Sequence, residues 1–277
     1  MEKSIVELGD MKIGDGAAVR VMGVLNISSE SFYNNSVASE PEEIISLIEK
    51  METEGADIID VGGASSAPTS IYGTEKISIE IEMQRINHAM EILDSCTDLP
   101  ISVDTTSSSV AEVALEKGAS MVNDISGVKE DDDMASLVAE YGVPVILMAQ
   151  CSGGCADVNS TANALRESLN IAADAGIDRK KIIIDPGIGF GKPANVDFAI
   201  IKNLHQFLGM GQPLLIGVSR KAFLGTLLNQ PEPANRLTGT VAANAIAVSK
   251  GADIIRAHDV AEAVIASQVG LAIKRVK

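Results

Sequence analysis

The sequence has no tryptophan, and its tyrosines and phenylalanines amount to only 3% of 277 residues. A large core must therefore be filled by aliphatic side chains, which a hydrophobic content of 46% can supply. Positive charge is also scarce, because 22 Lys and Arg face 38 Asp and Glu, for a net charge of −16. This balance argues against a general nucleic-acid surface, which depends on clustered Lys and Arg. An anionic substrate would need a local positive site or a metal ion.

Cysteine is sparse as well, with only Cys96, Cys151 and Cys155. An odd, small set predicts no disulfide framework and fits a reducing compartment. Cys151 and Cys155 could form half of a metal site, but no second Cys or His pair at ligand spacing accompanies them. No run approaches the ~20 apolar residues of a membrane span, and acidic residues interrupt the N-terminal segment where a signal peptide would be apolar. We therefore expect a cytoplasmic protein with no membrane partner.

Short apolar runs alternate with segments of helical spacing along the chain. The predicted strands are 19–25, 57–59, 101–103, 121–122, 143–148, 182–184, 214–218 and 254–255. The predicted helices include 41–54, 109–117, 133–141, 162–175, 196–207 and 240–250. This alternation is typical of parallel βαβ units. Eight such units predict one α/β domain over residues 1–277, a (β/α)8 TIM barrel. An open doubly wound sheet is the alternative.

The segment IIIDPGIGFGKP (182–193) looks like a nucleotide-binding loop but fits neither common kind. A P-loop needs glycine where Pro186 stands and a hydroxyl residue where Pro193 stands. The dinucleotide fingerprint needs its third glycine at Lys192. The segment is therefore predicted to be a buried strand that ends in Asp185 and continues into a flexible loop.

Polar residues follow the predicted strands, and in a barrel these strand ends converge on the face that holds the active site. They are Asn26, Asp60, Asp104, Asn123, Asp185, Lys221, Arg256 and His258. One such residue is often only a helix cap, but eight together predict a site. The carboxylates and amides suit a planar heterocycle with several N–H donors, and the cationic side chains suit an oxyanion or phosphate. The amide oxygen of Asn26 could ligate Mg²⁺.

The order of the motifs identifies a family. From about residue 19 to its end, the chain resembles the dihydropteroate synthases, which are pterin-binding (β/α)8 barrels. The resemblance is carried by MGVLNISSESF (22–32), ADIIDVGGASSAP (56–68), ISVDT (101–105), VNDISG (122–127), IDPGIGFGK (184–192), GVSRKAFLG (217–225), RLTGTVAANAIAV (236–248) and GADIIRAHDV (251–260).

The resemblance implies a transferase that joins 6-hydroxymethyl-7,8-dihydropterin diphosphate to an arylamine, normally 4-aminobenzoate, and releases diphosphate. By position, the residues implied to hold the pterin are Asp104, Asn123, Asp185 and Lys221. Those implied to hold the diphosphate are Asn26, through Mg²⁺, together with Arg256 and His258. The catalytic roles fall to Asp104, Lys221 and Arg256. Ser66 stands at a family threonine position near the phosphate and the arylamine, and the family implies a homodimer.

Several loops depart from the family pattern. Ala67 replaces an arginine, the first loop reads NISSESF instead of Asn-x-Thr-Pro-Asp-Ser-Phe, and Met148-Ala149-Gln150 stands at a Met-His motif. These changes lie on the arylamine side, so we expect an intact pterin pocket and leave the amine open.

Three alternatives remain at this point. The amine could be the ribofuranosylaminobenzene phosphate of the methanopterin pathway, for which the smaller Ala67 could leave room. The protein could be a methyltetrahydropterin-dependent methyltransferase, although Ser219-Arg220-Lys221 suits the synthase better. It could also bind pterin without turnover.

Overall fold

A computed structural model describes residues 3–27, 38, 40–65 and 77–276. The strands are β1 Ile5–Leu8, β2 Met11–Gly14, β3 Arg20–Asn26, β4 Ile58–Gly62, β5 Ile101–Asp104, β6 Met121–Asp124, β7 Val145–Met148, β8 Ile182–Asp185, β9 Leu215–Ile216 and β10 Ile254–Ala257. The α-helices are α1 Pro41–Glu54, α2 Ile79–Cys96, α3 Ser108–Glu116, α4 Met134–Tyr141, α5 Val158–Asp174, α6 Ala194–Lys202, α7 His205–Leu208, α8 Ala222–Leu228, α9 Leu237–Ser249 and α10 Val260–Arg275. Two 3-10 helices cover Arg179–Lys181 and Pro233–Arg236.

Eight parallel strands form the barrel in the order β8-β7-β6-β5-β4-β3-β10-β9. A parallel bridge between Ile184 and Leu214, at the two outer strands of that order, closes it. Because this bridge joins the two ends of the strand order, the sheet is closed, which excludes the open doubly wound alternative. All eight predicted strands are present, so the prediction of a (β/α)8 barrel is confirmed.

An N-terminal β-hairpin, β1–β2, closes the end of the barrel opposite the strand ends that carry the polar residues. Val6, Leu8 and Ile13 are buried in one apolar cluster with residues from inside the barrel, such as Met22 and Ile254. The Nζ atom of Lys3 is 2.6 Å from the Asp253 carboxylate and ties the start of the hairpin to the barrel. The hairpin was not predicted, although Gly9-Asp10 between two alternating runs is a recognised turn signal.

Helix α1 shows how local sequence determines an element's bounds. Pro41 occupies the first turn, and the side chains of Glu40 and Glu43 form a capping box with the backbone. Gly55 ends the helix at φ 93°, a left-handed conformation that glycine adopts without strain. The apolar face of the helix buries Ile44, Ile48 and Met51. The predicted bounds 41–54 are confirmed.

The predicted helix over 196–207 is wrong in its continuity, because the structure breaks it into α6 and α7. Asn203 lies at the break, where its side-chain Nδ2 donates to the carbonyl of Ala199 at 2.7 Å. Asparagine often ends a helix by such local hydrogen bonds. The helices α2, α8 and α10 were not predicted.

No disulfide framework was predicted and the role of Cys151 and Cys155 was left open; the structure joins these two residues in a disulfide. Gly153 and Gly154 both adopt positive φ between them. The resulting turn brings the two Cα atoms to 5.1 Å, within the range that a disulfide spans. A count of cysteines does not reveal such a local turn.

Among the described residues, no helix is both long and apolar enough to span a membrane.

Truncating Ile13 tests whether the hairpin is part of the barrel core. We expect Ile13→Ala to lower the free energy of unfolding by ~2–5 kcal/mol, as for other fully buried Ile and Leu positions. Ile5, on the same hairpin but exposed, is the matched control, and Ile5→Ala should change the value by less than ~0.5 kcal/mol. Urea denaturation measures both. Equal effects of the two changes would contradict this role of the hairpin.

Candidate active site

Strand register brings three of the predicted residues, Asn26, Asp104 and Asn123, into one layer with Gly62 at the mouth of the barrel. Asn26 pairs with Gly62, Gly62 with Asp104, and Asp104 with Asn123. Gly62 lies between the two side chains, because a Cβ at this position would be in van der Waals contact, at 3.8 Å, with both Asn26 Oδ1 and the Asp104 Cβ. The amide of Asn26 and the carboxylate of Asp104 therefore flank the same gap.

Arg256 links two carboxylates from neighbouring strands. Its Nε donates to Asp60 Oδ2 at 2.6 Å, and its Nη2 donates to Asp104 Oδ2 at 2.8 Å. Asp60 Oδ2 also accepts from Asn123 Nδ2 at 3.0 Å. Burial by itself lowers the pKa of the Arg256 guanidinium, but the carboxylates of Asp60 and Asp104 outweigh it, so this pKa is raised. The guanidinium is thus a fixed positive charge in the floor of the site.

Asp185 follows β8 as predicted, and its carboxylate fixes the glycine-rich loop. Its Oδ1 accepts from the Gly187 backbone N–H at 2.7 Å. Burial raises the pKa of Asp185, and the opposing attraction of Lys221 only partly offsets it. The carboxylate therefore lies where an N–H donor of a ligand would stabilise its ionised form.

Two buried charges that the sequence did not indicate hold the same loop from below. Lys192 Nζ donates to the Gly187 carbonyl at 2.6 Å, and Asp197 Oδ1 accepts from the Gly189 N–H at 2.8 Å. Asp197 lies on α6, so only the fold brings it to this loop.

Lys221 lies across the loop from Asp185. Its Nζ donates to the Ile188 carbonyl at 2.5 Å and lies 4.2 Å from the centre of the Phe190 ring. Burial lowers the pKa of Lys221 to about 8, more strongly than the nearby Asp185 raises it. Near neutral pH the ammonium is protonated, but it loses its proton far more readily than an exposed lysine.

His258 is held by Ser219 in the loop after β9. The His258 Nδ1 and Ser219 Oγ are 2.8 Å apart, and the His258 backbone N–H donates to the same oxygen at 3.2 Å. Burial, and then repulsion by Arg256, Arg220 and Lys221, lowers the pKa of His258 to about 3. The imidazole is therefore neutral at ordinary pH, and it can donate or accept a hydrogen bond but carries no charge.

Arg220 joins the loops that carry Lys221 and His258. Its Nε and Nη2 donate to the two oxygens of Asp259 at 2.8 and 2.7 Å, and its Nη1 donates to the carbonyls of Pro233 and Ala234. The Arg220 backbone is left-handed, at φ 55°, which costs energy for a residue with a side chain. Neither Arg220 nor Asp259 was predicted to have a role, although each is adjacent to a predicted site residue.

The structure thus brings Asp104, Asn123, Asp185, Lys221, Arg256 and His258 to one end of the barrel, with Asn26 at its rim. Ser66 and Ala67 lie outside the described residues, as does most of the altered first loop, so their predicted roles stay predictions. Of the altered positions, Met148 and Ala149 are buried next to the glycine-rich loop, where the Ala149 N–H donates to the Asp185 carbonyl at 2.8 Å.

Within the described ranges, no group of three or more His, Cys, Asp or Glu side chains is placed to bind a metal ion. Mg²⁺ is usually bound through one or two protein oxygens together with phosphate oxygens and water. The Asn26 amide oxygen at the rim fits that limited role.

Fold and site together define a class of protein: a (β/α)8 barrel that binds a planar ring with several N–H donors and an attached anion. The hydrogen-bond acceptors Asp104, Asn123 and Asp185 are buried at the strand ends, and the cations Lys221 and Arg256 lie beside them. The family described as "Pterin binding enzyme" matches residues 22–258.

Individual relatives agree with this match. The dihydropteroate synthase of Clostridium beijerinckii is 38% identical over 263 residues, which cover 93% of this chain and 95% of the relative. The Coxiella burnetii dihydropteroate synthase, solved in complex with pteroic acid, superposes with a TM-score of 0.87 at 33% identity and covers all of both chains. The Xanthomonas albilineans dihydropteroate synthase with 4-aminobenzoic acid has a TM-score of 0.87 at 32% identity, covering 99% of this chain and 100% of the other. The chain belongs to the pterin-binding enzyme family and is a transferase of the dihydropteroate synthase type.

The pKa of Lys221 predicts a pH limb in catalysis. Because the protonated form is the one that attracts an anion or an acceptor, kcat/KM should fall as pH rises through about 8. Lys221→Arg is the matched control, since a guanidinium stays charged across this range. Its kcat/KM should be lower than that of the wild type but should lack the limb. A limb that persists unchanged in Lys221→Arg would assign it to another group.

Proposed function

We propose that this protein condenses 6-hydroxymethyl-7,8-dihydropterin diphosphate with an arylamine and releases diphosphate. The observation that carries the proposal is the set of buried acceptors, Asp104, Asn123 and Asp185, next to Lys221 and Arg256 at one end of the barrel. The acceptors match the N–H donors of a pterin. The cations match the charge of a diphosphate, which the overall charge of −16 would otherwise repel.

The proposed reaction breaks the carbon–oxygen bond at the pterin methylene. Positive charge develops on the pterin and is stabilised by the carboxylates of Asp104 and Asp185. Negative charge develops on the departing diphosphate and is stabilised by Arg256, while neutral His258 donates a hydrogen bond to it. The arylamine nitrogen attacks the methylene carbon directly, so no covalent enzyme intermediate is needed. The proton that this nitrogen loses passes to the released diphosphate or to water.

Mg²⁺ is part of the proposal. Asn26 would hold it at the rim, and a bound Mg²⁺ would neutralise charge on the leaving diphosphate. The chemistry of an amide oxygen beside phosphate oxygens supports this assignment.

The amine is proposed to be 4-aminobenzoate, because the related Xanthomonas albilineans enzyme was solved with 4-aminobenzoic acid. The ribofuranosylaminobenzene phosphate stays the second candidate, and it rests on Ala67 in place of an arginine. Two further readings, methyl transfer and pterin binding without turnover, have no observation in the described residues that favours them over the synthase.

Diphosphate release with each amine tests the proposal. The protein, Mg²⁺ and the dihydropterin diphosphate are incubated with 4-aminobenzoate or with the phosphoribosyl amine, and diphosphate is measured by a coupled assay. We expect release with 4-aminobenzoate. Release with only the phosphosugar amine would assign the altered loops to amine selection.

The control for this assay is Asp185→Asn, which keeps the shape of the side chain but removes its charge. We expect it to lose at least about tenfold in kcat/KM, as when a hydrogen bond to a charged group is lost. No release by the wild-type protein with either amine would reject the synthase proposal and favour pterin binding without turnover.

A homodimer is proposed through helices α9 and α10. Ile265, Val269 and Ile273 lie at intervals of four on α10, and each is at least half exposed. Ile246 on the adjacent helix α9 is also exposed. Such a contiguous apolar surface is typical of a protein–protein interface.

Placing a charge in this surface tests the dimer. We expect sedimentation of the wild-type protein to give twice the chain mass, and Ile265→Glu to give a monomer, since an unpaired buried charge opposes association. Leu227→Glu, at an exposed leucine on α8, is the matched control and should remain dimeric. A monomeric wild-type protein, or a dimeric Ile265→Glu variant, would contradict this interface.

A further inference from the structure

Asp60 has no role in the proposed reaction, although it lies directly beneath the site. Its side chain is fully buried, with 0% exposed. In the strand register Asp60 pairs with Ser102, while Gly62, two residues further along β4, pairs with Asp104. Asp60 is thus one layer deeper in the barrel than Asp104 and does not open onto the mouth.

One oxygen of Asp60 holds two residues of the site. Oδ2 accepts from Arg256 Nε at 2.6 Å and from Asn123 Nδ2 at 3.0 Å. These partners come from β6 and β10, which lie on opposite sides of β4, with β5 and β3 respectively in between. A single carboxylate therefore fixes side chains from both sides of its own strand.

Arg256 forms ion pairs with both Asp60 and Asp104, so Arg256 and the pterin compete for Asp104. Its Nη2 donates to Asp104 Oδ2 at 2.8 Å, the carboxylate that the proposed function assigns to the N–H donors of the pterin. If Asp104 were the guanidinium's single charged partner, the substrate would have to break that pair. Leaving a buried charge uncompensated is strongly unfavourable.

We infer that Asp60 is a positioning residue: it keeps Arg256 and Asn123 in place and balances the charge of Arg256 while Asp104 shifts its hydrogen bonds to the pterin. The inference rests on the proposed function, because it needs a pterin at Asp104. Asp60 itself does not touch the substrate. We therefore expect Asp60 to affect the affinity for the pterin substrate and not the affinity for the arylamine.

The test is the affinity of Asp60→Asn for a pterin. Asparagine keeps the volume and one acceptor oxygen but removes the charge that holds Arg256. We expect the Kd for 6-hydroxymethylpterin, measured by calorimetry, to rise about tenfold or more. The KM for the arylamine should change less than about twofold, because pterin positioning and amine binding are separate contacts.

A double-mutant cycle with Asp104→Asn separates positioning from general damage. If Asp60 acts by relieving the hold of Arg256 on Asp104, then Asp60→Asn should raise the pterin Kd less than about threefold when Asp104 is already Asn. Equal, additive losses in both backgrounds would overturn the inference.

Asp253→Asn is the matched control. Asp253 is also a buried aspartate with a 2.6 Å ion pair, to Lys3, but it lies at the closed end of the barrel. We expect this variant to lower Tm and to leave the pterin Kd unchanged. If Asp60→Asn behaves in the same way, its role is only structural and the inference is wrong.

If Asp60→Asn does not fold, Asp60→Glu provides the same comparison, because it keeps the charge and displaces the carboxylate by one methylene. A raised pterin Kd with an unchanged arylamine KM supports the inference, and an unchanged Kd contradicts it. The synthase proposal is tested separately, by diphosphate release from the wild-type protein. The calorimetric measurement of pterin affinity does not require turnover, so the two proposals can fail independently.

Discussion

The ion pairs of Arg256 with Asp60 and Asp104 are the interaction on which the site depends. They join β10 to β4 and β5 across the interior of the barrel, 196 and 152 residues apart in sequence. A buried guanidinium is tolerated only with such partners. Around it lie the other polar groups: Asn123 bonds to the same Asp60 oxygen, and the backbone at Gly217 leaves space for Arg256 and Lys221 together.

The barrel explains how an acidic protein maintains a positive centre. Parallel strands place all their carboxyl ends at one face, so a cation after β9 and another in β10 become neighbours. Most of the negative charge is elsewhere, and the carboxylates inside the site are each engaged by a cation or by backbone N–H groups. Arg256 and Lys221 therefore supply positive charge next to which an anionic substrate can bind, although the protein as a whole is acidic.

The sequence was sufficient to predict the barrel and to place the described candidate residues at strand ends, because an apolar run that ends in a polar residue is a local pattern. It was not sufficient for the contacts among those residues. Asp60 looked like any other strand-end carboxylate, and its two partners are distant in sequence. Asp197 was hidden within a helical pattern, and the Cys151–Cys155 disulfide depends on the backbone of two intervening glycines. The contacts of Asp60 and Asp197 depend on tertiary geometry and the disulfide depends on a local turn, and composition and spacing reveal neither.

The same geometry gives His258 and Lys221 different tasks. Arg256 lowers the pKa of both, but Asp185 and Asp197 raise that of Lys221, whereas Arg220 and Lys221 lower that of His258 further. Lys221 therefore keeps a charge that responds to pH near 8, while His258 is neutral and Ser219 fixes its orientation. An anion bound between them would reduce the repulsion among Arg256, Arg220 and Lys221. Part of the affinity for the proposed diphosphate thus comes from relieving a repulsion that the folded protein already contains.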